Sequence, residues 1–324
     1  MPEVRKPRRG SLAFYPRKRA RRIYPRIKSY PKEDNVKPLA FAAYKAGMLR
    51  AIVLDTRKNS PTFNQEVSIP ITVLDCPPLK IIGVRAYTKS LKGLKAFTEV
   101  YYQDLPKEIK RKVKIKPDKT LGNFEKMEKN LDKISSIRFI VATQPRMAGI
   151  KKKKPEIFEI EIGGEDMGKK LEFAKSMLGK EISASDVIKE GELVDVIAVT
   201  KGKGTAGPVK RFGVKIQPRH AKQKRRHVGA LGSQVPGKVR WTVPMAGQLG
   251  FQTRTEYNKR VLKISNGEIT PKGGFKNYGI VGKNFVILEG SVPGPAKRLV
   301  MIRPSIRPVK SKFITLEIKE ILKS

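Results

Sequence analysis

The chain has 324 residues, with 70 Lys and Arg against 29 Asp and Glu, and therefore a formal net charge of +41. Self-repulsion at this level opposes a compact state unless a polyanion is bound, so the composition favours a nucleic-acid partner. The single cysteine, Cys76, excludes an internal disulfide framework and a cysteine-based zinc site, and we expect it to be buried. No stretch approaches the ~20 apolar residues of a membrane-spanning helix, and the basic N-terminus lacks the apolar segment of a secretory signal. A reducing, cytoplasmic setting fits these features best.

The charge is segregated along the chain. Residues 1–38 carry 13 Lys and Arg and three acids, and residues 201–260 carry 15 and one acid, Glu256. Residues 155–195 have the opposite balance, with 11 acids and five lysines. This distribution predicts an acidic, solvent-facing lobe and two extensions that face a polyanion and are ordered by it.

Apolar runs and alternation predict short strands along most of the chain. The candidate strands are Gly47–Asp55, Val67–Asp75, Leu79–Thr88, Ser136–Gln144, Phe158–Ile162, Leu193–Thr200, Lys259–Ser265, Asn284–Gly290 and Lys312–Ile321. Helical spacing predicts two helices with core-facing stripes, over Asn123–Ile134 and Lys169–Leu178.

We therefore predict a mainly β fold with an α+β insertion, as a β-barrel or a sandwich. Sustained β-α-β alternation, which a doubly wound sheet requires, is missing from the sequence. The predicted division is a basic N-terminal arm over 1–38, a first β part over 39–105, an α/β insertion over 106–192, and a second β part over 193–324 that carries the loop 201–260.

A glycine run follows the strand Leu193–Thr200, and Gly202, Gly204 and Gly207 match the pattern G-x-G-x-x-G. A dinucleotide site needs a helix after the third glycine and an acid about 20 residues later, but no acid occurs between Asp195 and Glu256. A P-loop needs a lysine where this chain has Pro208. We therefore interpret the glycines as positions where a basic backbone comes close to phosphates.

The basic segments supply the candidate RNA-binding side chains, because guanidinium groups suit phosphates and base edges and aromatic rings stack on bases. The predicted set is Arg8, Arg9, Arg17, Lys18, Arg19, Arg21, Arg22, Lys201, Lys203, Lys210, Arg211, Arg219, His220, Lys222, Lys224, Arg225, Arg226, His227, Gln234, Lys238, Arg240, Trp241, Arg254, Lys259 and Arg260. The glycines predicted to approach RNA are Gly202, Gly204, Gly207, Gly237, Gly247 and Gly250. We predict no catalytic, cofactor or metal site.

Several motifs occur in a characteristic order along the chain. The most specific is the run from Asp195 to Arg211, with its acid, its small residue and its G-K-G. The others are Gly10–Arg22, Ala43–Met48, Pro236–Val239, Met245–Gly250 and Arg254–Asn258. Together these motifs resemble the ribosomal protein L3 family, in its archaeal and eukaryotic branch. Where eukaryotic members carry an aromatic residue and a histidine after the loop's Gly-Ala, this chain has Leu231 to Gln234, so that histidine's role is not carried over.

The resemblance implies a translation-factor-type β-barrel with an α/β insertion. It implies a structural protein that binds large-subunit rRNA and neighbouring ribosomal proteins and acts early in subunit assembly. It also implies that the loop extends toward the peptidyl transferase centre, with Trp241 near its tip. Two other classes stay open at this point: an RNA-modifying enzyme with a basic docking arm, and a chromatin-like DNA-binding protein.

Overall fold

The computed structural model describes residues 7–57, 60–113, 122–150, 152–309 and 316–323, and shows a mainly β protein with a few short helices. The strands are β1 Phe41–Leu54, β2 Glu66–Asp75, β3 Leu79–Ser90, β4 Gly93–Tyr101, β5 Ser136–Ala142, β6 Ile157–Glu161, β7 Glu181–Ile182, β8 Leu193–Val199, β9 Thr205–Ala206, β10 Gly247–Gln248, β11 Thr253–Asn266, β12 Asn284–Glu289, β13 Leu299–Pro304 and β14 Glu317–Leu322. The helices are α1 Lys107–Lys110, α2 Gly122–Glu128, α3 Met167–Met177 and α4 Pro208–Phe212, with 3-10 turns at Leu131–Lys133 and Arg219–Lys224.

The chain divides into two compact units. The first, here called the loop–arm unit, consists of Met1–Ile23 and Val199–Arg254; residues 1–6 lie outside the described residues. The second, the sheet unit, consists of Tyr24–Ala198 and Thr255–Ser324. One boundary falls inside the predicted arm, because Ile27 is buried in the core of the sheet unit and the Tyr24 hydroxyl donates to the carbonyl of Ile157 at 3.0 Å.

Two sheets organise the sheet unit. One has the strand order β13-β8-β11-β12-β2-β1-β14, with an additional antiparallel pairing of β13 with β1, and the other has the order β4-β3-β5-β6 with β7 beside β3. Both clusters of buried apolar residues among the described residues belong to this unit. The mainly β class with a few helices is confirmed, whereas a barrel of the translation-factor type stays a prediction.

The strands predicted from alternation are present. In β6, Phe158 and Ile160 are buried, while the Glu159 carboxylate accepts from Arg85 at 2.5 Å and from the Tyr87 hydroxyl at 2.7 Å. The last predicted strand, Lys312–Ile321, is confirmed only in part, since β14 covers Glu317–Leu322 and residues 312–315 lie outside the described residues.

The two predicted helices differ in outcome. Helix α3 forms as expected, and its first turn is capped by the Asp166 carboxylate, which accepts from the Gly168 amide at 2.8 Å. The helix predicted over Asn123–Ile134 is shorter, because α2 ends at Glu128 and a 3-10 turn carries the chain to Ile134. Cys76 is 1% exposed, which confirms the predicted burial.

Candidate nucleic-acid interface

The glycine run forms the stem of the basic loop. Strands β9 and β10 pair antiparallel, and four backbone hydrogen bonds extend the stem, among them Lys203 N to Leu249 O at 3.0 Å and Leu249 N to Gly204 O at 2.9 Å. Gly250 has a φ of +72°, and a Cβ there would lie 2.1 Å from the carbonyl oxygen of Lys201. Only glycine fits this position, since both the backbone conformation and the space exclude a side chain.

The six glycines predicted to approach RNA therefore fall into two groups, according to the atoms that surround them. Gly250 has an intramolecular reason for lacking a side chain, and so does Gly247, where a Cβ would meet the guanidinium group of Arg211 at 2.9 Å. Gly204 and Gly207 face open space, and Gly202 and Gly237 meet only atoms at ordinary contact distance. At the open positions, the backbone has the space that the predicted approach to phosphates requires.

A short helix follows the glycine run, which the sequence argument against a nucleotide site did not expect. Gly207 precedes α4, Pro208 occupies its first position, and Gly213 ends it after five residues in the left-handed conformation. Phe212 lies on this helix and is buried.

The N-terminal arm packs against this helix within the loop–arm unit. The guanidinium of Arg17 lies 4.2 Å from the ring centroid of Phe212 and 5.5 Å from that of Tyr15, and its Nη1 donates to the carbonyl of Arg211 at 2.9 Å. Gly10 leaves room for the Phe212 ring, which a Cβ would approach to 2.3 Å. The described residues of this unit contribute to no apolar core cluster, and cation–π contacts and hydrogen bonds to carbonyls hold the arm against α4.

Arg211 links α4 to strand β10 and to Met245, which lies just before that strand. Its Nε donates to Gln248 O at 3.0 Å and its Nη1 to Met245 O at 2.9 Å. Burial and the nearby positive charge of Arg17 lower the pKa of Arg211. The same two causes lower the pKa of Arg254, whose guanidinium lies 4.6 Å from the ring centroid of Phe14. The unit therefore concentrates like charges that an anion would stabilise.

Trp241 is 67% exposed, so it is not a core anchor. Its ring meets Tyr15 edge to face, with 5.1 Å between the centroids and 73° between the planes. Beside it, the Arg8 guanidinium of the arm donates to the carbonyl of Thr242. The arm thus contacts one side of the indole, and the exposed surface of the ring is available to a partner.

The predicted RNA-binding side chains fall into two groups by exposure. Twenty are exposed, and five are half-buried with protein partners: Arg17, Arg211, Arg254, Lys259 and Arg260. The Lys259 ammonium lies 2.9 Å from a carboxylate oxygen of Glu256, and Arg260 lies 3.9 Å from Glu289. These five cations act at least in part within the protein, which sequence reasoning did not anticipate.

The outer part of the loop and the start of α4 line an open pocket of about 740 Å³. Apolar side chains such as Leu231 and Met245 line it together with Lys224, Arg226 and His227 from the predicted set. The structure thus brings these three side chains together around one concave surface.

Asp195, the first residue of the glycine-run motif, has a structural role in the sheet unit. It is fully buried, and its Oδ2 accepts from Arg303 Nη2 at 3.1 Å. Its Oδ1 accepts from the backbone amide of Asn258 at 3.2 Å. Arg303 also donates to the carbonyl of Ser29. One buried ion pair therefore joins β8, β11 and β13 with the second half of the N-terminal arm.

The sequence contained only part of the signal for this cluster. Asp195 could be identified as the last acid before a long basic segment, but its partner Arg303 lies 108 residues away along the chain, and Ser29, which accepts from Arg303, lies 274 residues from that arginine. The described part of the chain contains no helix that is long and apolar enough to cross a membrane.

Comparison with known proteins identifies the family to which this chain belongs. The family model described as ribosomal protein L3 matches residues 1–323. The chain is 50% identical over 314 residues to large ribosomal subunit protein uL3 of Methanopyrus kandleri, an alignment that covers 94% of this chain and 87% of the relative. It is 51% identical over 310 residues to the protein of the same name from Methanocaldococcus jannaschii, covering 94% and 92%. The resemblance inferred from the motifs is confirmed, and the chain belongs to the ribosomal protein L3 family.

Proposed function

We propose that the chain is a structural component of the large ribosomal subunit and that the loop–arm unit is its principal surface for large-subunit rRNA. One observation carries the proposal. Residues 7–23 and 199–254 hold seven and 13 Lys and Arg, respectively, and no Asp or Glu. A unit of this charge, without an apolar core cluster among its described residues, needs a polyanion to offset its self-repulsion.

Exposed cations would bind by neutralising phosphates and releasing the counterions condensed on the RNA. The half-buried arginines would act differently, since Arg17 and Arg211 hold the arm, the helix α4 and the returning strand together. Binding then needs both groups: one supplies contacts to phosphate, and the other sets the shape that presents them.

The finer parts of the proposal rest on the family. By analogy, the protein joins the subunit early in assembly, in the cytoplasm, and its loop extends toward the peptidyl transferase centre. The exposed indole of Trp241 would stack on an rRNA base, which contributes about 1–3 kcal/mol. The alternative of an RNA-modifying enzyme is not retained, because members of this family are structural ribosomal proteins.

The test compares two matched charge variants of the full chain. Arg226→Gln with Arg240→Gln removes two exposed cations of the loop, and Lys272→Gln with Lys276→Gln removes two exposed cations of the sheet unit. The loop variant should flatten the slope of log affinity for large-subunit rRNA against log salt by about 1.4 to 1.8. The sheet-unit variant should leave the slope unchanged; equal slopes for both variants would contradict the loop–arm unit as the principal surface.

A further inference from the structure

The outer end of the β3–β4 hairpin is exposed on both faces. Residues 89–97 are nine consecutive exposed residues, although Lys89 pairs with Leu94 and Ser90 with Gly93 in the ladder. Among the described residues, strand β4 is also an edge of its sheet, because β3 is its one neighbour in the strand order. The hairpin end therefore extends beyond the part of the sheet that the core covers.

Its composition is unusual for a free surface. Leu91 is 108% exposed, Leu94 47% and Phe97 39%. The same nine residues contain Lys89, Lys92 and Lys95 and no acid. Exposed apolar side chains that are grouped in one place, here with cations between them, indicate an interaction site.

We propose that residues 89–97 form a second contact with large-subunit rRNA, separate from the loop–arm unit. The inference rests on the proposed function, since it needs rRNA as the polyanion at hand. Charge selects RNA over protein as the occupant, because lysine is depleted from protein–protein interfaces, whereas three lysines without an acid complement phosphates. Phe97 would stack on an unpaired base, and Leu91 at the turn would pack against a base or sugar.

The single buried cysteine makes a direct test possible. Cys76 is 1% exposed, so an introduced surface cysteine is the only accessible thiol of the chain for a tethered iron chelate that cleaves nearby RNA. Three serine-to-cysteine variants at exposed positions are matched: Ser90→Cys on the hairpin, Ser233→Cys on the basic loop and Ser176→Cys on α3. Each full-length variant is reconstituted into large subunits, and the rRNA cleavage sites are mapped.

Iron at position 90 should cut one defined rRNA segment, different from the segment cut from position 233 and at least tenfold more strongly than anything cut from position 176. Cleavage from position 233 alone would overturn the hairpin contact and leave the proposed function intact. Cleavage from none of the three positions would contradict the proposed function as well. Cutting of a neighbouring protein in place of rRNA from position 90 would assign the hairpin to a protein partner and overturn the proposal.

Charge substitution gives an independent measurement. Replacing Lys89, Lys92 and Lys95 by Gln should flatten the salt slope by about 2 if all three meet phosphates, at roughly 0.7 per single-strand contact. Replacing the same three by Arg keeps the charge and should keep the slope. An unchanged slope in the Gln variant would also overturn the proposal.

Discussion

Individual arginines have different roles in this protein, depending on the groups that surround them. Arg303 is 4% exposed and meets the buried carboxylate of Asp195, whereas Arg226 and Arg240 are exposed. The first stabilises the fold of the sheet unit, whereas the other two belong to the proposed contacts with rRNA. Residue identity alone did not separate these roles, because a buried arginine needs a partner that only the fold brings near.

We predict that Asp195→Asn destabilises the sheet unit by about 3 kcal/mol, because it leaves Arg303 as an uncompensated buried charge. Chemical denaturation of the full chain would measure the loss. Glu317→Gln is the control, since its ion pair with Lys319 is exposed and worth about 0.5 kcal/mol or less. Equal stability of the two variants would refute the structural role of Asp195.

Asp75 gives a prediction about pH. Burial raises the pKa of this carboxyl, whose Oδ2 accepts from the Tyr278 hydroxyl at 2.6 Å and from the amide of Gly282 at 3.2 Å. A carboxyl with a raised pKa in the folded state favours folding while protonated, and that contribution is lost as the pH rises from about 4 through the folded-state pKa. Asn at this position keeps an acceptor oxygen and does not ionise.

We therefore expect Asp75→Asn to gain stability relative to the natural chain as the pH is raised from 4 to 7. Denaturation midpoints at both pH values test the sign. A difference between the two proteins that is constant with pH, or that falls as the pH rises, would show that burial does not dominate at Asp75.

At the scale of elements, the stem β9–β10 holds the two ends of the basic loop together. The stem depends on Gly250, where φ is +72° and a Cβ would overlap the carbonyl oxygen of Lys201. Gly204 offers a matched position, since its φ is +65° and the space around it is open. The two glycines share the conformational requirement and differ only in packing.

We predict that Gly250→Ala weakens binding to large-subunit rRNA at least tenfold, which corresponds to about 1.4 kcal/mol, because the stem must open to admit the methyl group. Gly204→Ala carries only the cost of a left-handed alanine, about 1 kcal/mol, and that cost falls on a part of the stem with free space. Equilibrium binding of both variants at one salt concentration distinguishes the two effects. Similar losses at both positions would mean that packing against Lys201 is unimportant.

Elements with a clear pattern could be predicted, and elements without one could not. β6 was readable because Phe158 and Ile160 alternate with glutamates, and α3 because its apolar residues recur at helical spacing. β13 was missed, since Leu299–Pro304 has only four consecutive apolar residues before Arg303 and Pro304. β4 was missed because Gly93 to Phe97 is exposed throughout and has no buried face to produce a pattern.

At the scale of the whole molecule, the sequence placed the excess positive charge correctly in two segments but did not show that they meet. The contacts of Arg17 with Phe212 and with the Arg211 carbonyl join positions 194 and more residues apart in one unit. Contacts of a cationic side chain with a backbone carbonyl or an aromatic ring produce no periodic pattern in the sequence. Charge was thus enough to propose a candidate interface, whereas the contacts within the loop–arm unit required the structure.

Guanidinium contacts stabilise the loop–arm unit, whose described residues contain no apolar core cluster, and this composition has a thermodynamic consequence. The heat capacity of unfolding comes mainly from apolar surface, about +0.45 cal/K/mol for each Å² exposed. If this unit orders when it meets rRNA, the transition should release heat while changing the heat capacity very little. Calorimetric titration over a range of temperatures should therefore give a binding enthalpy that is nearly independent of temperature. Association of two apolar surfaces would instead give a binding enthalpy that depends steeply on temperature.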